Sequence, residues 1–196
     1  MKYPEIQAAL SNVDIYVIDQ ILKNRYAPKD IILDAGCGQG RNLKCFYANK
    51  HEIYGIDADK ERIKSAKIAY PKFVNNFEQG YLDTLPYPEN KFNHIICNAV
   101  LHFAENEAHF FKMFYELVRV LKPSGSLLIR MASNIGLDGN MPYVREGNTN
   151  REGTLYLTRE MITEIDKNYN LEFIEPIKTT NVQDKRAMTT LVLRKI

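Results

Sequence analysis

A glycine-rich segment that directly follows a short apolar run constrains the fold of this chain more than any other feature of its sequence. Ile31–Leu33 is an unbroken apolar run, as expected of a strand buried on both faces, and it leads into Gly36-Cys37-Gly38-Gln39-Gly40. Glycine permits unusual backbone angles and a close approach of the main chain to a ligand. The following residues, 41–49, have helical character. The segment therefore predicts a strand, turn and helix of an α/β sheet.

An acidic residue at the end of the second predicted strand extends this pattern. Asp57 follows Gly36 by 21 residues and comes directly after the predicted strand Glu52–Ile56. In a doubly wound sheet, the glycine turn and Asp57 both face the crevice at the carboxyl ends of the strands, where a carboxylate can hold a ribose diol. Together they predict a nucleoside-containing ligand.

The spacing within the loop bears on which nucleoside ligand it takes. The glycines fall as G-x-G-x-G, whereas the dinucleotide fingerprint is G-x-G-x-x-G, and Asp34 stands two residues before the first glycine. A carboxylate aimed at the loop would repel a pyrophosphate and would suit a positively charged amino group, such as that of a methionine moiety. A nicotinamide-dependent oxidoreductase is therefore the weaker alternative.

The remaining segments alternate between strand and helix, which predicts an α/β fold with a doubly wound, mostly parallel sheet and helices on both faces. Leu171–Ile177 and Ala187–Leu193 are predicted as a closing antiparallel hairpin with a turn around Asn181–Lys185. The other predicted strands are Lys72–Asn75, His94–Cys97 and Ser126–Met131, and the other predicted helices are 59–70 with Asp59 as N-cap and Pro71 as stop, 105–121, and 159–168 with Thr158 as N-cap.

Two segments outside this sheet are predicted to select a substrate within a single domain of residues 1–196. Residues 1–29 contain one or two amphipathic helices that would cap the sheet, and 132–157 is a long loop, rich in Gly and Asn. Both would close over a substrate. Side chains that could contact it, although an ordinary solvated position suits any one of them, are Tyr143, Arg145, Arg151 and Tyr156.

Charge and cysteine content disfavour several function classes. The 26 Lys and Arg against 24 Asp and Glu leave a net charge of +2, so no strong field recruits nucleic acid or an anionic membrane. Cys37, Cys45 and Cys97 form no C-x-x-C pair, which predicts reduced thiols in a cytoplasmic protein and no metal site. No secretory signal or membrane-spanning stretch is recognisable.

Four segments resemble motifs of the class I S-adenosylmethionine-dependent methyltransferases, which have a Rossmann-like fold. Asp34–Gly40 resembles their first motif, Gly55–Asp59 their second, Gly80–Phe92 their third motif region, and Leu117–Ser126 the segment before their fifth strand. The four occur in the family's order. Arg41-Asn42 is similar to the tellurite-resistance type among the small, type 11 methyltransferases.

The resemblance implies S-adenosylmethionine as cofactor, with Asp34 at its amino end and Asp57 at its ribose hydroxyls. Ala58 would pack on the adenine, and the backbone of Leu82 would face the ring edge. Many relatives carry Asp where Tyr81 stands, so the recognition of the adenine amino group departs from the family pattern. The other residues assigned to the cofactor are Gly36, Cys37, Gly38, Gly40, Arg41 and Asn98.

The implied activity is methyl transfer to an unidentified small molecule, and the alternative within the same fold is a non-catalytic module that binds S-adenosylmethionine. Asn98-Ala99-Val100-Leu101 lacks the Asn/Asp-Pro-Pro-aromatic pattern of methyltransferases that modify base or glutamine nitrogens. His102 is the candidate general base, because an imidazole titrates near neutral pH. Packing is the alternative role of His102, and the reaction can also proceed without a dedicated base.

Overall fold

A computed structural model describes residues 3–137 and 154–196, and in these ranges the protein is an eight-stranded sheet with six α-helices around it. The strands are β1 (Ile31–Ala35), β2 (Glu52–Asp57), β3 (Phe77–Gln79), β4 (Phe92–Asn98), β5 (Leu121–Ser133), β6 (Leu171–Phe173), β7 (Lys178–Val182) and β8 (Arg186–Lys195). The α-helices are α1 (Tyr3–Leu10), α2 (Ile15–Leu22), α3 (Lys44–Ala48), α4 (Lys60–Ala69), α5 (Glu107–Val120) and α6 (Arg159–Asn168).

The sheet is parallel through five strands and antiparallel at its far edge. The strand order is β3-β2-β1-β4-β5-β8-β6, and β7 also pairs with β8. Strands β1 to β5 run parallel to one another, whereas β8 runs antiparallel to β5, β6 and β7. The chain order reverses between β1 and β4, and in open α/β sheets a ligand crevice forms at such a point. The predicted mostly parallel sheet is confirmed.

Apolar side chains alternate between the two faces of the strands and build a core on each face. On one face Ile32 and Ile96 pack with Val17 of α2, Phe46 of α3 and Ile63 of α4. The second core contains neighbouring residues of the same strands, such as Leu33 and Ile95, together with Phe114 of α5 and Ile165 of α6. This alternation follows from the two-residue period of a strand, and it confirms helices on both faces.

Local capping signals place the helix ends where the sequence predicts them. The Asp59 carboxylate accepts hydrogen bonds from the backbone N–H groups of Glu61 and Arg62 at the start of α4, and Pro71 follows that helix. The Thr158 hydroxyl accepts from the Met161 N–H in the same way at α6. These caps satisfy N–H groups that have no partner inside the helix.

The predicted strand Lys72–Asn75 is wrong. Pro71–Asn76 forms 3-10 turns, and the strand that follows is the three-residue β3. The Asn76 side chain donates to the Ile53 carbonyl of β2 at 3.0 Å and so holds the turn against the sheet. A strand this short carries too few residues for a periodic pattern, so its place depends on pairing with β2.

The closing hairpin differs from its predicted bounds. The segment predicted as one strand, Leu171–Ile177, is a strand only as far as Phe173, and β7 begins at Lys178. Pro176 lies in the break and cannot donate a backbone hydrogen bond to a neighbouring strand. The turn is confined to Gln183–Lys185, within the predicted range.

The two predicted substrate-side segments are only partly described. Helix α1 has no buried residue, whereas α2 buries Val17 and Gln20 against the sheet. Of the predicted loop 132–157, residues 138–153 lie outside the described residues, with Tyr143, Arg145 and Arg151 among them. Tyr156 is described and is half-buried, next to Leu157, which pairs with the end of β5.

Candidate functional site

A cavity of about 1000 Å³ opens at the carboxyl ends of β1, β2 and β4. Its position is the one expected where the strand order reverses, and its size is at the upper end of the range for small-molecule sites. The residues that line it are Asn12, Gly36, Cys37, Gly38, Gln39, Arg41, Asn42, Asp57, Ala58, Arg62, Gly80, Tyr81, Leu82, Asn98, Ala99, Val100, Phe103, Glu105, His109 and Met113.

The first glycine of the loop after β1 is required by both conformation and space. Gly36 has a φ of +78°, and a Cβ at this position would overlap the Val100 side chain. The N–H groups of Gly36 and Cys37 both donate to the Ile56 carbonyl, at 2.8 and 2.9 Å. These two bonds hold the turn against the end of β2.

The second glycine connects the loop to the predicted ribose acid. The Gly38 N–H donates to Oδ2 of Asp57 at 2.7 Å, and the Asp59 N–H donates to Oδ1 at 2.9 Å. Gly38 has a φ of +55°, and a Cβ there would meet only the end of the Arg62 side chain, at 3.9 Å. The loop backbone at Gly38 is therefore open to the cavity, and the Asp57 carboxylate is held beside it.

The third glycine serves packing. Gly40 has its carbonyl oxygen bonded to the Tyr70 hydroxyl, which donates at 2.6 Å, and a Cβ on Gly40 would lie 2.5 Å from that ring. Gly40 does not line the cavity, whereas its neighbour Arg41 does. The Arg41 guanidinium donates to the Asn12 carbonyl at 2.8 Å and so joins the loop to the segment before α2.

Asp34 lies beneath the loop as a buried carboxyl. Burial raises the pKa of Asp34 to about 7, against the opposing effect of the nearby Arg41 charge and with a further rise from Asp57. Its Oδ2 has no hydrogen-bond partner among the residues that the structure describes. A buried polar atom without a partner is rare in native proteins, and it marks a place where a ligand or an ordered water bonds.

Asn98 is a second buried polar side chain without partners, and it does line the cavity. Within the described part of the chain, neither its Oδ1 nor its Nδ2, at the carboxyl end of β4, has a hydrogen-bond partner. The next residue, Ala99, has a φ of +62°, and its N–H donates to the Arg130 carbonyl at 2.7 Å. A positive φ at alanine is strained, and such backbone strain clusters at functional sites.

Ala58, Tyr81 and Leu82 also line the cavity, with Leu82 buried and Tyr81 68% exposed. Several lining residues were not predicted from the sequence, because they come from the segment after β4 and from α5. Among these, His109 is held by its Nδ1, which accepts from the Glu105 N–H at 3.2 Å. The signal that could have found them is Asn106, whose side chain caps α5 beside the cavity. The other lining residues that were not predicted as site residues are Asn12, Gln39, Asn42, Arg62, Gly80, Ala99, Val100, Phe103, Glu105 and Met113.

His102 is buried next to the cavity and does not line it. Its Nδ1 accepts from the Ala132 N–H at 3.4 Å, and its carbonyl oxygen accepts from the Leu155 N–H at 3.0 Å. Its ring packs against Phe103, with 4.5 Å between ring centroids. These contacts connect the segment after β4 with both ends of the 132–157 loop.

The structure thus brings most of the predicted cofactor residues together at one cavity. Those that line it are Gly36, Cys37, Gly38, Arg41, Asp57, Ala58, Tyr81, Leu82 and Asn98, while Asp34 and Gly40 are not among the described lining residues. In the described ranges no group of three or more metal-binding side chains occurs, and no helix there has the length and apolar character needed to cross a bilayer.

These residues fit S-adenosylmethionine. The buried Asp34, whose Oδ2 bonds to no described residue, suits an ammonium group, and the Asp57 carboxylate beside the open backbone of Gly38 suits a ribose diol. The cavity is large enough for a nucleoside with an amino-acid side arm.

Comparison with known proteins gives the same assignment. A family described as "Methyltransferase domain" matches residues 33–129. The uncharacterized methyltransferase YcgJ of Bacillus subtilis is 36% identical over 102 residues, which cover 50% of this chain and 39% of that protein. A tRNA (carboxymethyluridine(34)-5-O)-methyltransferase of Arabidopsis thaliana is 36% identical over 106 residues, 50% of this chain and 23% of that enzyme.

A solved structure shows the same fold. An S-adenosylmethionine-dependent methyltransferase from Methanosarcina mazei superimposes with a TM-score of 0.70 at 18% identity, covering 90% of this chain and 97% of the other. This chain spans less than half the length of either sequence relative named above. The family match, the relatives and the fold agree with the cavity, and the chain belongs to the S-adenosylmethionine-dependent methyltransferases of class I fold.

Proposed function

We propose that this protein transfers a methyl group from S-adenosylmethionine to a small-molecule acceptor in the cytoplasm, within one domain of residues 1–196. The observation that carries the proposal is the arrangement around the glycine loop. Asp57 is fixed at the cavity by the Gly38 N–H, and Asp34 lies buried below the loop with an unpartnered oxygen. Family membership supports the same activity.

The bound cofactor would supply a methyl group on a sulfonium, which is already activated for transfer. The chain would then contribute binding and orientation, with Asp34 taking the amino group and Asp57 the ribose hydroxyls. Such transfer depends on in-line placement of the acceptor atom and on exclusion of water. The strained Ala99 and the buried Asn98 would form the wall nearest the methionine end.

The role of His102 as general base stays a prediction. Its Nδ1 accepts from a backbone N–H, so in this arrangement the proton of a neutral ring lies on Nε2. A neutral ring of that tautomer would have to act through Nδ1, which is already occupied by Ala132. The contacts therefore favour a role in which His102 orients the segment after β4.

A small molecule is the acceptor class that the charge balance favours. The chain has a net charge of +2, and in the described cavity wall the acidic Asp57 and Glu105 are balanced by Arg41 and Arg62. Recognition of RNA by its phosphates needs a basic surface. One relative acts on tRNA by its name, but this chain matches only 23% of that enzyme.

Calorimetric titration tests the proposal. Wild-type protein is expected to bind S-adenosylmethionine and S-adenosylhomocysteine and not NAD. Binding of NAD alone would favour an oxidoreductase and contradict the proposal. Incubation with methyl-labelled S-adenosylmethionine and a cytoplasmic metabolite pool then separates an enzyme from a non-catalytic binding module, because only an enzyme transfers label to a second compound.

A further inference from the structure

We propose that Arg130 and Thr190, in one polar row with Asn98 at the cavity wall, bind the carboxylate of the methyl acceptor. This inference rests on the proposed function and adds the chemical class of the substrate: a small molecule with a carboxylate at one end. The three residues come from β4, β5 and β8, and only Asn98 lines the described cavity.

Strand register places the three side chains on one face of the sheet. Asn98 pairs with Arg130 between β4 and β5, and Arg130 pairs with Thr190 between β5 and β8. Residues paired across neighbouring strands point to the same side, and strands lie about 4.8 Å apart. The row therefore extends about 10 Å from the cavity wall toward the antiparallel edge of the sheet.

Every member of the row has a buried polar atom that bonds to no residue within 3–137 and 154–196. These atoms are Oδ1 and Nδ2 of Asn98, Nε of Arg130 and Oγ1 of Thr190. Asn98 is 7% exposed and Thr190 2% exposed, so bulk water does not satisfy them. Buried polar groups are nearly always hydrogen-bonded, and three adjacent exceptions on one row indicate a place that a polar ligand occupies.

Arg130 is held loosely enough to accept a second partner. Its NH1 contacts Oδ2 of Asp14 at 3.4 Å, longer than the 2.7–2.9 Å of a strong charge-assisted bond. The guanidinium lies 5.4 Å from the centre of the Tyr16 ring at the start of α2. A planar guanidinium binds a carboxylate through two parallel N–H bonds, and Nε–H is one of the donors that can serve in such a pair.

The donors of the row match a carboxylate better than a neutral group. A fixed positive charge on Arg130, a hydroxyl on Thr190 and an amide on Asn98 can all donate to oxygen. A molecule with its carboxylate between Arg130 and Thr190 would extend toward Asn98 and place its other end in the cavity. That other end would carry the atom to be methylated.

The cofactor also has a carboxylate, but its predicted position lies elsewhere. Asp34, assigned to the cofactor's amino end, is on β1, and the strand order β1-β4-β5-β8 puts Thr190 three strands away. That separation is about 14 Å across the sheet. The amino and carboxyl groups of one amino-acid moiety share a carbon atom, so a cofactor held at Asp34 does not reach Thr190. A cofactor carboxylate near Asn98 or Arg130 would leave the Thr190 hydroxyl without its partner, which is why Thr190 is the residue that the test varies.

The test follows the Nε–H resonance of Arg130 by NMR in ¹⁵N-labelled protein saturated with S-adenosylhomocysteine. Sodium acetate is the probe, acetamide is the neutral probe of the same shape, and sodium chloride matches the ionic strength. The resonance is assigned by its loss in Arg130→Lys. We expect a saturable shift with acetate and none with acetamide or chloride.

Two variants connect the shift to the row. Thr190→Val keeps the side-chain shape and removes the hydroxyl, so it should weaken acetate binding about 3- to 10-fold. Arg194→Gln removes a cation further along β8, where Arg194 is paired with Glu172, and should leave acetate binding unchanged. Calorimetry on both variants should give unchanged affinity for S-adenosylhomocysteine, which also verifies that they fold.

Several results would overturn the inference. Equal shifts with acetate and acetamide would mean that the row does not select an anion, and no shift with either would mean that it holds water. A shift caused by S-adenosylhomocysteine itself, with none from acetate, would assign the row to the cofactor. Failure of the wild-type protein to bind S-adenosylhomocysteine would contradict the proposed function, whereas binding without an acetate shift would contradict this inference alone.

Discussion

Asp34 and Asp57 belong to the same loop unit, and their surroundings give them different tasks. Both oxygens of Asp57 accept backbone N–H bonds, from Gly38 and Asp59, so this carboxylate organises the loop as well as facing the cavity. Asp34 is buried with an unpartnered Oδ2, and burial raises its pKa to about 7. The protein without ligand therefore carries an unfavourable carboxylate at Asp34, which a bound cation would stabilise.

Asp34→Asn should stabilise the ligand-free protein and weaken the binding of S-adenosylmethionine. The folded-state pKa of Asp34 lies above its unfolded value, so wild-type stability falls as pH rises through the interval from about 4 to 7. The variant has no carboxylate to ionise, so its free energy of unfolding at pH 8 should exceed that of wild type by on the order of a few kcal/mol. The difference should be smaller toward pH 4. Thermal and urea unfolding across pH measure this.

The matched control for that experiment is Asp166→Asn, an exposed carboxyl on α6. It should change neither stability nor affinity by more than about 0.5 kcal/mol. In calorimetry, Asp34→Asn should lose about 1.5–3 kcal/mol of binding free energy, the contribution of a hydrogen bond to a charged group. Equal stability of Asp34→Asn and wild type at pH 8 would show that burial of this carboxylate is not costly.

Asp57→Ala should weaken the binding of S-adenosylmethionine by about 1–3 kcal/mol, because the ribose would lose charge-assisted hydrogen bonds. The matched control is Asp59→Ala, which removes the N-cap of α4 and should cost about 1 kcal/mol of stability with little change in affinity. Titration calorimetry and thermal unfolding separate the two effects. An unchanged titration curve for Asp57→Ala would remove Asp57 from the cofactor site.

At the scale of secondary-structure elements, the turn after β1 depends on the segment after β4. Gly36 lies against Val100 with a positive φ, and its N–H donates to the end of β2. Three strands thus meet at one glycine. A side chain there would disturb the glycine loop and the cavity wall at Asn98–Val100 together.

Gly36→Ala should therefore destabilise the protein by about 2–4 kcal/mol and abolish detectable cofactor binding. Gly136→Ala is a matched control, because Gly136 has nearly the same φ, +77°, and no atom of the described residues lies within 4 Å of the Cβ it would gain. The control should lose only about 1 kcal/mol of stability, the cost of the backbone strain that an alanine has at this φ. Denaturant unfolding compares them, and equal losses for the two variants would mean that Val100 moves aside without cost.

Features set by adjacent residues could be predicted from sequence, and features set by pairing between distant strands could not. The glycine loop and the caps Asp59 and Thr158 depend on local chemistry, and the structure has them where predicted. The strand predicted at Lys72–Asn75 is wrong because β3 is fixed by its register with β2.

The same distinction holds for the candidate site. Asp57 is recognisable from its place at the end of a strand, whereas the row at Arg130 and Thr190 exists only because β8 inserts next to β5 in one register. Likewise, His109 lines the cavity because α5 starts beside the 80–82 segment. No spacing along the chain encodes either arrangement.

At the scale of the whole molecule, a buried acidic residue ties the two ends of the chain together. Glu175, between β6 and β7, accepts hydrogen bonds from Gln20, Lys23, Arg25 and Lys178 at 2.7–3.0 Å. Its side chain is only 6% exposed. This cluster fixes α2 on the sheet, and α2 brings Asp14 and Tyr16 over Arg130. The N-terminal segment therefore depends on the last strands for its position over the proposed acceptor row.

Glu175→Gln should destabilise the protein by roughly 2–4 kcal/mol, because it leaves three cations around a neutral amide, although those cations are partly solvated. Burial alone would raise the pKa of Glu175, but the bonds from Lys178, Lys23, Gln20 and Arg25 outweigh it and hold the pKa well below its usual range. The stabilisation is thus complete above the unfolded pKa of about 4.5 and is lost as the pH falls through the lower folded pKa.

The difference in unfolding free energy between wild type and Glu175→Gln should accordingly stay constant from about pH 5 to 8 and shrink only in stronger acid. Glu172→Gln is the matched control: its carboxylate pairs with Arg194 but is 49% exposed, so it should cost at most about 1 kcal/mol. Urea unfolding at several pH values measures both variants. Equal small losses of stability in the two variants would show that α2 is held by the apolar contacts of Val17 rather than by the charge cluster. Asp14 and Tyr16 would then keep their place over Arg130 without Glu175.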